Sequence, residues 1–332
     1  VDAAEVAYAA HNGTGSTCTV AAPCDFATAL TKVSATVKYI KLAASSSPHY
    51  QGPFTIGSLD VTIVGEVDSD GEPTAVFRDT NVNDTAPLLD LPNNGFNVTL
   101  SGVAIREANS TQLNGAINIR CEGSGELTIL NSSVIESDGT GIKTGTACTL
   151  NLNASTIAKN DGGGLNISGP FSITNNFIAF NGNVSDSTKG GVVIDVANVE
   201  PRLFAHNSVV KNFSIVANSG IECSSSGATV LQNNIVAFGI PAGSDQVDLS
   251  NQCTMDTTAA EVSIGTNAVV VSVFPFINAA SGATFDLHLT ADLPFQGTPI
   301  AAITTDIDGD IRSTTAPDIG ANEFPNGSGD EV

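Results

Sequence analysis

NNFIAFNG at 175–182, HNSVVKNF at 206–213 and NNIVAFG at 233–239 are one phrase written three times, with looser copies in NSSVIESDGTG (131–141) and NASTIAKNDGGG (153–164). Each copy sets small polar residues before an apolar pair and closes on a polar or glycine turn. With Ile105, Ile135, Ile157, Ile178, Val210 and Val236 as anchors, successive copies lie 30, 22, 21, 32 and 26 residues apart. A second phrase, glycine followed by apolar residues, recurs between them in GAINIR, GIKTG, GLNISG, GVVIDV and GIECS. A strand-length phrase at an irregular period of this size marks a solenoid, whose repeats bury their apolar sides only against their neighbours. Helical solenoids fail because no repeat has room for two helices beside these strands, and leucine-rich repeats fail because no LxxLxLxxN phrase recurs. What remains is an all-β coil of short parallel strands, a parallel β-helix, each turn about 4.8 Å above the last. Like side chains then stack on one another. Apolar columns fill the interior, and Asn175, Asn176, Asn207, Asn233 and Asn234 form amide ladders at the bends.

Upstream, VKYIKLAA, PFTIGSLDVTIVGEV, TAVFRDT, PLLDLP and FNVTLSGVAIREA are also strand-length and separated by turn residues, so the coils are expected over 38–270 of a single domain. The ends of a solenoid expose unpaired backbone and need covers. In CDFATALTKVSA (24–35), Phe26, Ala29, Leu30 and Val33 recur at helical spacing, which predicts a short capping helix within an N-terminal cap at 1–37. After 270 the repeat phrase stops, so 271–332 is expected to be an irregular C-terminal cap and tail.

Composition points the same way. Hydrophobic residues make up 41% of the chain, but aromatics only 5% and charged residues only 14%, so the surface must be largely Ser, Thr, Asn and Gly. The formal charge of −22, from 34 acidic against 12 basic side chains, repels phosphate backbones and anionic lipid. It argues against nucleic acid and membrane surfaces as partners. Cys18, Cys24, Cys121, Cys148, Cys223 and Cys253 form no CxxC or Cys/His metal spacing, and read as three disulfides made in an oxidising compartment. Sequence order suggests Cys18–Cys24, Cys121–Cys148 and Cys223–Cys253, one among the several connectivities that six cysteines allow. No apolar stretch is long enough for a transmembrane segment. The chain opens on Val rather than Met, and an export signal is expected to have been removed, with the protein extracellular or on the cell surface.

Three constellations could carry chemistry. Asp306, Asp308 and Asp310 alternate in TDIDGD, as do Asp68, Asp70 and Glu72 in VDSDGE. Alternating carboxylates about a glycine turn suit Ca²⁺, the one cofactor these residues suggest, and the competing reading is a structural turn. Neither stretch is an EF-hand: after TDIDGD, Ile311 and Pro317 stand where that motif needs Gly and Glu. Aligning the glycine phrases puts Asn118, Lys143, Asn166 and Glu222 in one outward file, with Asp195 displaced by two residues and Val193 interrupting it. Such a file is spaced to face a glycan, and the competing reading is an ordinary solvated strand face. His206 lies in a polar bend, where stacking accounts for it without catalysis.

The phrases NTD, DD, GHG and RIK of polygalacturonase-type enzymes are absent, and GIK at 141–143 is only a fragment of the last. These residues therefore lead to a non-catalytic extracellular or cell-surface structural protein: a surface, matrix, adhesive or filament-forming solenoid. Its partners would be further copies of itself, a cell-surface or matrix polymer, or a glycan. The alternative is a β-helix polysaccharide lyase or glycoside hydrolase, which needs opposed carboxylates in a groove, or a Ca²⁺ cluster beside Lys143 or an Arg.

At the C-terminal end, FDLHLTADLPFQGTPI, TDIDGD and APDIGANEF resemble the closing phrase of secreted bacterial parallel β-helix repeat proteins of the choice-of-anchor type. The opening, with its helix followed by YIKLAA, LDVTIVGE and VTLSGVAI, is similar to theirs as well. The resemblance covers most of 1–324 and is most specific in the C-terminal phrase. It implies a right-handed β-helix, export and frequent attachment to the cell surface, and no single reaction.

Overall fold

Leu127 pairs with Val98 on one side and Leu150 on the other, and Ile129 pairs likewise with Leu100 and Leu152, all parallel and in register. That relation repeats along the computed structural model. It describes residues 1–324 except 46, 48, 58, 70, 80, 82–84, 93–94, 109–115, 184–189, 197–199, 216–218, 224–228, 239–246, 249–252, 262, 264, 281–284, 292 and 294–295, with backbone alone at 247–248. Among the described residues the strands form three parallel sheets of ten, eight and ten strands. One coil shows the order: Phe96–Ser101 in sheet 1, Val103–Ala108 in sheet 2 and Ile119–Cys121 in sheet 3, before Gly125–Leu130 returns to sheet 1. The protein is an all-β, right-handed parallel β-helix, the hand expected of parallel crossovers.

Alternation makes each strand face inward at every second residue. Cys148–Asn153 buries Cys148, Leu150 and Leu152 and leaves Thr149, Asn151 and Asn153 half-exposed. Stacked over many rungs, Leu100, Ile129, Leu152, Ile173, Phe204, Leu231 and Met255 become one continuous buried column. Each such side chain contributes about 1.5–3 kcal/mol on burial. In sheet 2 the inward column is Ile105, Val134, Ile157, Ile178, Val209 and Val236. Two of the expected anchors were therefore one residue out of register. Ile135 pairs with Arg106 and Ala158, and Val210 with Ala179 and Ala237, all on the outer face.

The corners explain the asparagines. Between sheets 1 and 2 each coil turns through one left-handed residue, at Asn131, Ala154, Asn175, His206, Asn233 and Thr257, with φ from 46° to 57°. The next residue points inward. Asn176 donates through Nδ2 to Asn207 Oδ1 at 2.9 Å, and Asn207 in turn to Asn234 Oδ1 at 3.2 Å. Asn175 and Asn233, expected in that ladder, occupy the left-handed position and turn outward. A second ladder fills the corner between sheets 2 and 3. Asn118, Asn160, Asn181 and Asn212 are linked Nδ2 to Oδ1 at 3.2, 2.9 and 3.0 Å. Gly141, Gly164 and Gly191 lie beside it because a Cβ there would come within 2.7–2.9 Å of a ladder amide nitrogen.

The N-terminal helix is Phe26–Leu30, shorter than the 24–35 stretch suggested; Asp25 caps it by accepting from Thr28 N–H at 2.7 Å. Phe26 packs edge-on against Phe54 and Phe77. Residues 1–37 are more than a cap, since Val6–Ala9 is already the first rung of sheet 1, paired with Tyr39–Leu42. The Cys18–Cys24 loop lines its outer edge, with Tyr8 N–H donating to Cys18 O at 2.8 Å and Ala9 bridged to Cys24.

At the other end, residues 266–270 form a shortened coil over Asp256, Ala259 and Ala260, with Gly265 against Met255. The segment after 270 does not lie across this end as expected. It runs back along the outer face of sheet 2, carrying one antiparallel hairpin, Phe276–Asn278 with Asp286–Leu289. The reason lies in the strands beneath. The outward residues are Ser133 and Thr156 in earlier rungs but Phe177, Ile235 and Ala259 later, with Ala179, Val210 and Ala237 alongside. Those side chains form a second core with Phe274, Leu287, Leu289, Leu293, Ile319 and Ala321 of the strap. The C-terminal element is a lateral strap.

Candidate functional site on the outward columns

Sheet 3 carries the expected glycan-facing file. The strand pairings align Thr55, Asp90, Arg120, Lys143, Asn166, Val193 and Glu222. Lys143 and Asn166 are neighbours as expected, Val193 separates Asn166 from Glu222, and Asp195 is exposed two residues beyond Val193. Asn118 does not belong to this file. It is fully buried, and its amide donates to Ile135 O at 3.0 Å and to Asn160. Ile119 pairs with Ile142, so Asn118 occupies the place that Gly141 takes in the next coil, and Arg120 stands beside Lys143.

The charges along this file answer one another. Arg120 binds Asp90 bidentately, Nε to Oδ1 at 2.9 Å and Nη2 to Oδ2 at 2.8 Å, which raises the Arg120 pKa against the opposing effect of burial. Lys143 Nζ lies 3.8 Å from Glu122. Sheet 2 repeats the pattern near its N-terminal end, where Arg78 pairs with Glu107 and Arg106 with Glu136 on adjacent rungs. Burial first, and then the two arginines, hold the nearby His49 pKa below its usual value.

The TDIDGD carboxylates do not converge. Asp306 is buried, its Oδ1 accepting the N–H groups of Asp308 and Asp310 at 2.9 Å each. Its Oδ2 accepts Glu323 N–H at 2.9 Å and Asn322 Nδ2 at 3.2 Å, while burial raises its pKa. Asp308 reaches His288 Nε2 at 3.0 Å instead, and Asp310 is exposed. The phrase forms a staple that ties one loop of the strap to the ANEF segment. In VDSDGE, Asp68 accepts Glu72 N–H at 2.9 Å across a turn closed by Gly71, and Asp70 lies outside the described residues. Among the described residues no three acidic, His or Cys side chains take up a metal-binding arrangement.

Arg312, which the sequence reading does not single out, and His206, expected in a polar bend, join the strap to the coil. Arg312, 3% exposed, donates to Glu323 Oε2 at 3.1 Å, to Asn175 Oδ1 at 2.9 Å, and to the carbonyls of Gly320 and Ala321. His206 is fully buried, its Nδ1 against Asp318 O at 3.1 Å and its Nε2 against Asn233 Nδ2 at 2.9 Å. That arrangement needs the neutral ring. Burial, aided by the Arg312 charge, lowers the His206 pKa to about 3.

The three disulfides pair in sequence order. Cys121–Cys148 and Cys223–Cys253 close the same corner, each joining the end of a sheet 3 strand to the start of the sheet 1 strand one coil further on. Among the described residues no helix is long and apolar enough to cross a membrane. A cavity of about 510 Å³ opens at the N-terminal end, lined mainly by Ala3, Ala4, Val6, Ala7 and Val20.

No family model and no curated protein matches the chain. Among solved structures it is similar to that described as the crystal structure of pectate lyase Pel9A, at 17% identity over 98% of each chain, with a TM-score of 0.49. The chemistry of this chain is read from its own side chains.

Proposed function

We propose that the protein is a non-catalytic extracellular scaffold, a surface or matrix β-helix that offers long stacked columns to other molecules. One observation carries this reading. Four carboxylates on or beside the outward files face a cation rather than an open groove: Asp90 faces Arg120, Glu122 faces Lys143, Glu136 faces Arg106 and Glu107 faces Arg78. A catalytic pair needs one carboxyl group ready to donate a proton and another free to act as base or nucleophile. Three disulfides support an oxidising compartment, and attachment to a cell surface, implied by the C-terminal phrase, belongs to the same proposal.

The test is a turnover screen. Purified protein is incubated with acidic and neutral polysaccharides, with and without Ca²⁺, and chain length and new ends are followed. Unchanged polymers are expected. Chain cleavage abolished by Lys143→Ala or Glu222→Gln would replace the scaffold with the lyase or hydrolase reading.

A further inference from the structure

The outer face of sheet 1 differs from the other two. Its central file runs Tyr39, Thr62, Thr99, Thr128, Asn151 and Ser172, one residue per coil in unbroken register. All six side chains are half-exposed. From Thr62 to Ser172 the file spans about 19 Å at the usual strand spacing. Thr128 Oγ1 donates to Glu126 at 3.0 Å, whereas the side chains of Thr62, Thr99, Asn151 and Ser172 make no hydrogen bond within the described chain. Each of these four coils thus offers a polar group whose partner must come from outside. Sheet 3 engages Asp90, Arg120 and Lys143 in ion pairs, and sheet 2 is covered by the strap over its later rungs.

We infer that this face binds an extended, uncharged polysaccharide lying along the coil axis. The inference rests on the scaffold reading and names the class of molecule the scaffold holds. Charge selects the class. The flanking files are Asp60, Asn97, Glu126 and Thr149 on one side and Lys41, Val64, Ser101, Leu130, Asn153 and Thr174 on the other, and Lys41, at the Tyr39 end, is their one cation. A polyanion would meet Asp60, Glu126 and a chain of net charge −22, with Lys41 alone to grip it at one end. A neutral glycan brings recurring hydroxyls that can donate and accept against a recurring hydroxyl file, and many weak contacts on one rigid strip add as linked binding events. Two of the chain's three tyrosines, Tyr39 and Tyr8, stand on this same face at its N-terminal end. An aromatic ring with a polar tip suits the apolar face and hydroxyl rim of a sugar ring.

The test is native electrophoresis through gels containing hydroxyethylcellulose, galactomannan or polygalacturonate, with co-sedimentation on cellulose and chitin. Retardation by at least one neutral polymer and none by polygalacturonate is expected. Thr99→Glu and Tyr39→Ala should each weaken binding about tenfold or more, because a charge or a lost ring removes desolvated contacts. Ser272→Glu, on the strap, should bind as the parent does. Circular dichroism melts of each variant separate lost binding from lost folding, and Thr62→Ala provides a milder change on the same file. Failure of every neutral polymer to retard the parent protein, or binding unaltered by both Thr99→Glu and Tyr39→Ala, would overturn the inference. Neither result touches the scaffold reading, which fails only if polymer recovered from these gels is shortened.

Discussion

Arg312 of the strap grips Asn175 at a corner of the coil, Nη2 to Oδ1 at 2.9 Å and Nε to the same oxygen at 3.3 Å, across 137 residues of sequence. Asn175 is available for this because its left-handed backbone turns its side chain out of the corner ladder. The partner charge is Glu323, itself buried and accepting Asp318 N–H at 2.8 Å and Ser313 N–H at 2.9 Å. The closing phrase of the sequence therefore works as a lock that seats the strap on the coils.

Breaking that lock strands a buried charge. Arg312→Gln should cost about 3–5 kcal/mol, and Arg312→Lys should restore little of it, since an ammonium cannot reproduce the planar fork. Thermal unfolding measures the loss. Limited proteolysis should cut the strap well before the coils.

Two histidines, His206 beneath the strap and His288 in its hairpin, give it opposite pH limits. Burial pulls the His288 pKa down, but Asp308 and then Asp286 outweigh it and lift it to about 9 from 6.5. A raised histidine pKa gives stability that is complete below about 6.5 and is lost as pH climbs through about 9. His206 is the reverse: lowered to about 3, it gives no loss above 6.5 and an increasing loss as pH falls from 6.5 towards 3. Melting temperature should therefore peak near pH 6.5, His288→Gln flattening the alkaline side and leaving the acidic slope in place.

Asn181 holds four bonds at the centre of the second ladder, donating to Ile157 O and Asn212 and accepting from the Asn160 amide and backbone. Asn181→Ala should destabilise by about 3 kcal/mol, since buried donors and acceptors lose their partners. Chemical denaturation would read it. Exposed asparagines such as Asn131 should tolerate the same change, apart from the cost of their left-handed backbone.

The Cys121–Cys148 bridge closes one full coil of 27 residues. Replacing both with Ser should cost about 3–4 kcal/mol through the freedom restored to the unfolded chain. Calorimetry should show the loss without a change in far-UV circular dichroism.

The coil was legible because its grammar is local: apolar residues at alternate positions, polar corners, and disulfides in chain order. Register was legible only to within a residue or two. In SVI and SVV the two β-branched neighbours are equally apolar, so Ile135 and Val210 passed for the inward anchors that Val134 and Val209 are. Asn118 misled for a related reason. The glycine of GIK, GLN and GIE makes room for a ladder amide, and where Asn118 supplies the amide itself that glycine is missing, so the phrase was counted from Gly115 and Arg120 was lost from the file. The strap was hidden because its docking face is made of single outward residues scattered over four coils. Its one sequence signal is the run of three apolar residues in FIA and IVA, where earlier strands such as SVI begin with a polar outer residue.

The account depends most on adjacent coils lying in register, and paired cysteines read that directly. Ser133 and Thr156 are partners on the outer face of sheet 2, whereas Ser133 and Ala158 are offset by two residues. A disulfide requires Cα atoms within about 7 Å. Oxidation followed by peptide mapping should show Ser133→Cys joined to Thr156→Cys in nearly every molecule and Ser133→Cys unjoined to Ala158→Cys. Efficient bridging of the offset pair, with none in the aligned pair, would contradict the stacked columns on which every other conclusion rests.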